Sequence, residues 1–329
     1  MEISLRLSRW LVIMSLALTL IIGGNHAMRL PRLAREDEDG SLQSIEEDIL
    51  EEEESSTEET SHDANGRGQH FDYKKSDEWP NEYPICAGDR QSPVNIELHH
   101  VRSMEPGRPP LGRFGYDKKP TRMKIVNNGH TVQLSGEWPA KDTPTIYGGP
   151  LTGLYELAQI HFHWGPDNTA GSEHTVANQS FPLEMHLVHW KKSYENISEA
   201  MLHDDGLAVI GYLMSVDKNP NTGLERMRAS FNKILRPQQT TEIEPFPLTL
   251  FDLDLLKEGY VTYVGSLTTP PCNESAIWLL SVRIKDVTMD EMDSFRKLRM
   301  ENHNEHNYRR AQPLNGRSIT YYYDIFGIH

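Results

Sequence analysis

The chain has 329 residues, with 48 acidic residues against 33 lysines and arginines, a formal net charge of −15 and 37% hydrophobic content. That is enough apolar material for a sizeable core. With no basic stripe and no Gly-rich phosphate loop, nucleic-acid and nucleotide binding have nothing to rest on.

Residues 1–27 read as a secretory signal peptide, because Arg6 and Arg9 flank or precede the apolar run WLVIMSLALTLIIGG. Cleavage near Ala27 is expected, which predicts a secreted, extracellular protein. A signal anchor is the rival, since the run falls slightly short of the roughly 17 residues that a membrane span needs. No second run of that length follows, so no membrane span is expected in the mature chain, and TYYYDIFGIH at the C-terminus lacks a lipid-anchor tail.

Residues 28–69 form an acidic extension. From Met28 to Gly68 fourteen acidic residues stand against four arginines, so the low pI of 5.4 belongs mainly to this segment. Such a composition predicts disorder. The plain reading is a solvated spacer or pro-segment; the sharper one is a calcium- or mineral-binding arm using EEDILEEEESSTEE as a carboxylate array.

Residues 70–329 have the texture of one mixed, strand-dominated α+β domain. The β-like runs MKIVNN, TVQLSG, LAVIGYLMSV, GYVTYVGSL and AIWLLSVRI alternate with Pro- and Gly-rich connections. Helical signals are few: GLERMRASFNKIL has a period near 3.6, and TMDEMDSFRKLRM follows Thr288 with Glu291 three residues later, a capping-box spacing.

Chemistry concentrates between Gln159 and Trp190. In IHFHW, His161 and His163 share one face of an extended strand, while Ile160, Phe162 and Trp164 share the other. In LEMHLVHW the same period places Glu184, His186, Val188 and Trp190 together, opposite Met185, Leu187 and His189. If the two strands are antiparallel neighbours, His186 completes a triangle of imidazoles with one coordination position open, the pattern of a catalytic zinc site. His174 and His189 read as structural. His303 and His306 are three apart and could hold a metal on a helix, although a solvated turn is the plainer reading.

Only two cysteines occur, Cys86 and Cys272, and an exported chain would keep them as a disulfide; two buried thiols are the alternative. Sequons at Asn178, Asn196 and Asn273 mark candidate glycosylation sites consistent with export.

The stretches WPNEYPICAGDRQSPVNI, QIHFHWG, GSEHTV, LEMHLVHW and GSLTTPP together resemble the α-carbonic anhydrase family, in its secreted type with one disulfide. The resemblance runs from about Phe71 to Ile319. It implies a single domain around a large, mainly antiparallel twisted sheet with a few short peripheral helices. It implies a Zn2+ enzyme for the reversible hydration of carbon dioxide to bicarbonate and a proton, through attack by zinc-bound hydroxide. His161, His163 and His186 match the zinc ligands, with Gln159, Glu184 and the Asn307 carbonyl orienting them. Thr268 matches the gatekeeping threonine whose proton is committed to Glu173, and Thr269 lines the cleft beside it. His130 matches the proton shuttle, with Tyr73, Asn128 and Gln133 along a hydrophilic wall. Val188, Val209, Leu267 and Trp278 match the apolar wall for carbon dioxide, where Ala276 is smaller than the usual valine. Cys86 and Cys272 match the family disulfide, and Pro93 and Pro271 match cis prolines. Arg310 departs from the pattern, standing where a proline is usual. The alternatives are a non-catalytic binding or adhesion domain, whose relatives typically lack a zinc histidine, and a mineral-associated matrix protein relying on the acidic arm.

Overall fold

The computed structural model describes residues 71–103, 109–253 and 259–322, so the segments read as a signal peptide (1–27) and an acidic extension (28–69) lie outside the described residues. The strands in chain order begin with β1 (Asn95–Ile96), β2 (Val101–Ser103), β3 (Leu111–Phe114), β4 (Arg122–Asn127) and β5 (Val132–Glu137). Next come β6 (Thr145–Gly148), β7 (Tyr155–Trp164), β8 (Thr175–Val176), β9 (Leu183–Lys191) and β10 (Leu207–Val216). The last are β11 (Gln239–Glu242), β12 (Tyr260–Gly265), β13 (Ala276–Ser281), β14 (Lys285–Val287) and β15 (Ile319–Tyr322). Among the described residues three short α-helices accompany them: α1 (Ile197–Ala200), α2 (Thr222–Arg228) and α3 (Met289–Arg296).

A sheet of 13 strands dominates, with a main path in the order β11, β4, β5, β7, β9, β10, β13, β12, β15, β2. Pairing is mainly antiparallel. The parallel exceptions in this sheet are β10 with β13, β10 with β14, and β15 with β2. β1 and β8 form a separate parallel pair. The expected fold class is therefore the observed one.

The run LAVIGYLMSV coincides with β10 at both ends, because it is apolar enough to be buried on both faces in the middle of the sheet. The helix expected around Thr288 forms α3 with the capping box intact: Thr288 Oγ1 accepts from the Glu291 amide, and Glu291 Oε2 accepts from the Thr288 amide. The other expected helix is shorter than its periodicity. α2 ends at Arg228, and Phe231–Lys233 forms a 3-10 turn instead. On such a turn residues three apart eclipse, which sends both Phe231 and Ile234 into the core.

β7 contains a feature that alternation alone does not predict. Its pairing with β9 slips between Leu157 and Gln159, leaving Ala158 unpaired as a bulge. One extra residue reverses which parity faces inward. Tyr155 before the bulge and Ile160, Phe162 and Trp164 after it thus all belong to one hydrophobic core, although 155 is odd and the others even. The odd positions after the bulge, Gln159, His161 and His163, are left for the opposite face.

Cys86 and Cys272 are joined by a disulfide across 186 residues. Closing a loop of that size stabilises the fold by about 5 kcal/mol in the chain-entropy model. The bridge is buried with Phe71, Tyr73 and Trp79. It ties the segment leading to β1 to the loop that carries Thr268 and Thr269. The Ser92–Pro93 and Pro270–Pro271 bonds are both cis, as the resemblance implies.

Candidate metal centre

The three histidines meet because β7 and β9 are adjacent and antiparallel, with His161 directly opposite His186 in register. His163 is one alternation along the same face of β7. Each imidazole has one nitrogen engaged by an acceptor. His161 Nδ1 is 2.9 Å from Gln159 Oε1, His163 Nδ1 is 2.6 Å from the Asn307 carbonyl, and His186 Nε2 is 2.6 Å from Glu184 Oε1. A carbonyl or a carboxylate can only accept, so those nitrogens carry the protons. The other three nitrogens, Nε2 of His161, Nε2 of His163 and Nδ1 of His186, present lone pairs.

These lone pairs face one another. His186 Nδ1 is 3.2 Å from His161 Nε2, and all three ligand atoms lie within 4.8 Å of each other. His163 Nε2 is buried without a hydrogen-bond partner. Lone pairs held this close repel unless a cation lies between them. Tetrahedral zinc with Zn–N of roughly 2.0–2.1 Å separates its nitrogens by about 3.3 Å, so the donor set fits that ion. Burial also suits the task, since a ligand imidazole must be neutral. It pushes His161 well below the usual histidine range, lowers His163 to about 3 and lowers His186.

Glu184 is the anchor of the supporting groups. Its Oε1 accepts from His186 and, at 2.7 Å, from His174 Nδ1; its Oε2 accepts from the amides of Glu173 and His174, each at 2.8 Å. Burial alone would raise its pKa, but His174 and His186 hold it well below the usual carboxylate range. His174, which the sequence presents as a structural residue, is therefore part of this support, and the Tyr263 hydroxyl extends it by bridging His174 Nε2 and Ser92 Oγ. The Trp278 ring stands edge-on to both His174 and His186, with centroids 4.6 and 4.8 Å apart. His189 is structural as expected, with its Nε2 at 2.5 Å from the Tyr116 hydroxyl.

Glu173 lies against the cluster, with Oε2 3.4 Å from His163 Nε2 and 3.9 Å from His186 Nδ1. Its Oε1 accepts from the Arg309 amide at 2.9 Å. The Thr268 hydroxyl is close enough to favour the charged carboxylate, yet Oε2 has no partner at full hydrogen-bond distance, so this link is the looser one. Burial and the neighbouring Glu184 push Glu173 well above its usual range. Thr269 is half-buried, and its carbonyl accepts from the Cys272 amide.

Val188, Val209 and Trp278 are consecutive register partners across β9, β10 and β13, all buried. Val188 is two residues beyond His186, which puts this apolar row on the ligand face. Leu267 is half-buried in the loop after β12.

His130 occupies the turn between β4 and β5. Asn128 Oδ1 accepts from the amides of His130 and Thr131, and Gly129 takes φ +91, the left-handed backbone that glycine favours. The imidazole is half-buried, stacked on Phe71 with centroids 4.0 Å apart, and edge-on to Tyr73 at 6.4 Å. Gln133 is the register partner of His161. Asn307 links this turn to the ligand strand, since its Nδ2 donates to the carbonyls of His130 and Phe162 and its Oδ1 accepts from the Trp164 amide.

Other sequence-derived candidates fall into place around the site. Asn178 and Asn196 are exposed, whereas Asn273 is half-buried and donates its Nδ2 to the Met201 carbonyl. His303 and His306 lie on a 3-10 turn and the irregular stretch after it, and no third ligand joins them among the described residues. Arg309 was missed by motif reading. Its buried guanidinium donates to Gln91 Oε1, to the Ser92 carbonyl and to the Cys86 carbonyl. The signal for it was slight: one arginine in a polar stretch beside the anomalous Arg310.

A family model described as eukaryotic-type carbonic anhydrase matches residues 74–323. Carbonic anhydrase 7 of Mus musculus is 38% identical over 250 residues, covering 73% of this chain and 91% of that protein. Carbonic anhydrase 7 of Homo sapiens is likewise 38% identical over 250 residues, with the same coverage. With a facing triad of imidazole lone pairs at its centre and this similarity over nearly the whole described fold, the chain belongs to the eukaryotic-type carbonic anhydrase family.

Proposed function

We propose that this carbonic anhydrase is a secreted zinc enzyme that interconverts carbon dioxide and bicarbonate, with His130 carrying protons out of the site. The observation that carries the reading is the 3.2 Å approach of two imidazole lone pairs, with a third orphaned beside them. His161 Nε2, His163 Nε2 and His186 Nδ1 would hold the ion. The chemistry zinc would supply there is the acidification of a bound water, enough to give a nucleophile near neutral pH, as is established for this family. Non-catalytic relatives typically lack a zinc histidine, whereas all three are present here.

The chain's own residues divide the remaining work. Gln159, Glu184 and the Asn307 carbonyl hold the imidazole tautomers. A dication among the adjacent imidazoles favours the charged form of Glu173, against the effect of burial. Ionised Glu173 can only accept, so Thr268 donates to it, and the threonine oxygen is left to accept from the nucleophile and aim its lone pair. Thr269 lines the cleft beside it. Val188, Val209, Leu267 and Trp278 form a wall suited to carbon dioxide, which has no charge and bonds weakly to polar groups.

His130 takes the proton from the site to buffer, the general acid–base task that an imidazole performs. His130→Ala is expected to lower turnover in weak buffer, with partial recovery on adding imidazole, measured by stopped flow. Unchanged turnover would place the exit route elsewhere.

Secretion is supported by the basic-then-apolar N-terminus and by the disulfide, which persists in an oxidising compartment. Asn178 and Asn196 are the sequons whose exposure suits a glycan. The test is a stopped-flow hydration assay on protein collected from the medium, with zinc counted per chain and the mature N-terminus read by mass spectrometry. Near-stoichiometric zinc, fast hydration and a start after Ala27 are expected; retention of residues 1–27 would refute cleavage of the signal, and absence of the protein from the medium would refute export.

A further inference from the structure

We propose a second metal site on the surface of the domain, formed by Glu97, His99 and His100, which takes a divalent transition ion of the zinc and copper class. It shares no residue with the three-histidine centre.

The local backbone builds it. Leu98–His100 forms a single 3-10 turn, with the His100 amide donating to the Glu97 carbonyl at 2.9 Å. Side chains three apart on such a turn eclipse, so Glu97 and His100 project together, and His99 lies beside them. The imidazoles of His99 and His100 have centroids 4.0 Å apart. One ligand atom from each of the three side chains falls within 4.8 Å of the others. Glu97 Oε2 and His99 Nδ1 are already 3.2 Å apart, close to the roughly 3.3 Å between two ligands of a tetrahedral zinc.

The carboxylate is also held in place. Asn95 Nδ2 donates to Glu97 Oε1 at 2.9 Å, and Asn95 is itself fixed because its Oδ1 accepts from the Thr175 hydroxyl and the Asn178 amide. That leaves Oε2 for the ion, the arrangement in which an outer hydrogen bond orients a ligating carboxylate. Beyond the Glu97 contact, no hydrogen bond engages either imidazole ring among the described residues. Two imidazoles and one carboxylate suit zinc or copper better than calcium or magnesium, which prefer all-oxygen shells.

The surroundings leave room for coordination to be completed. His99 and His100 border a cleft of about 390 Å³ that runs to Arg102 and the 314–318 loop. The guanidinium of Arg317 in that cleft is turned to backbone carbonyls, those of Leu314, Val264, Gln91 and Pro313. Open positions on the ion would be filled by water or a small anion. Glu97 is half-buried and the two histidines are exposed, so the site is open to free ion.

The test uses the full chain with its three-histidine centre already loaded with zinc. Isothermal titration with Zn2+, and Cu2+ titration followed by electron paramagnetic resonance, are run on the wild type and on His99→Ala and His100→Ala. The expected result is one additional equivalent in the wild type, weakened at least ~10-fold in each variant, with imidazole nitrogen couplings on copper that fall by one per variant. Hydration activity and thermal midpoint should not change, because these side chains are on the surface and outside the catalytic centre. The proposal is overturned if the wild type takes up no additional ion at millimolar Zn2+, or if both variants bind it as the wild type does.

Discussion

His186→Ala is expected to remove bound zinc and carbon dioxide hydration together. His186 is the only one of the three ligands on β9, and its Nδ1 is the atom that approaches His161 Nε2. Without it, two imidazoles on one strand remain, which cannot enclose a tetrahedral ion. The loss also removes one of four donors to Glu184, and the carboxylate then has an unsatisfied lone pair in a buried setting. Zinc per chain after dialysis and the stopped-flow rate are measured on the same sample. Hydration should fall to the rate of the buffer alone. For comparison, Gln159→Ala touches only an orienting group, and a roughly 10–100-fold loss of zinc affinity is the scale for that class of change. Full zinc content with full activity in His186→Ala would refute the ligand assignment.

Arg309→Met is expected to destabilise the fold by about 3–5 kcal/mol, because three buried acceptors lose their donor and each unsatisfied group costs roughly 1–3 kcal/mol. The guanidinium serves three acceptors in the N-terminal segment, at Cys86, Gln91 and Ser92, and lies over the Trp79 ring at 5.5 Å. Its backbone amide meanwhile binds Glu173. Burial lowers its pKa to about 10, so it stays charged at neutral pH, and methionine would leave the acceptors buried and unpaired. Arg309→Lys keeps the charge but lacks the planar fork, and should recover only part of the loss. Urea midpoints at constant m-value measure both variants. A shift below about 1 kcal/mol in Arg309→Met would show that water can replace these bonds.

The two variants separate two roles that meet at Glu173. His186 belongs to the ion, whereas Arg309 belongs to the frame that ties the disulfide-bearing segment to the site. Zinc content should therefore vanish in the first and persist in the folded fraction of the second.

Much of the centre was legible in the residues. Alternation in IHFHW and LEMHLVHW separates ligand positions from core positions, and Gln159 and Glu184 stand two residues before the ligands they orient. Motif resemblance supplied Thr268, Glu173, His130 and Asn307, which spacing could not reach. What stayed hidden was the bulge at Ala158, the role of His174 and the whole contribution of Arg309. The bulge is a property of the pairing between β7 and β9, and neither strand shows it alone.

By itself, then, the sequence determined which side chains share a face, where α3 begins and which residue types can bind an ion, because these depend on local period and on capping within a few residues. Tertiary structure decided which nitrogen of each imidazole is free and how Glu184 divides its oxygens among His186, His174 and two amides. It also decided that Arg309 serves a segment more than two hundred residues earlier. Those outcomes depend on register and on long-range acceptors, and a hydrogen bond is assigned only when both of its partners have been placed.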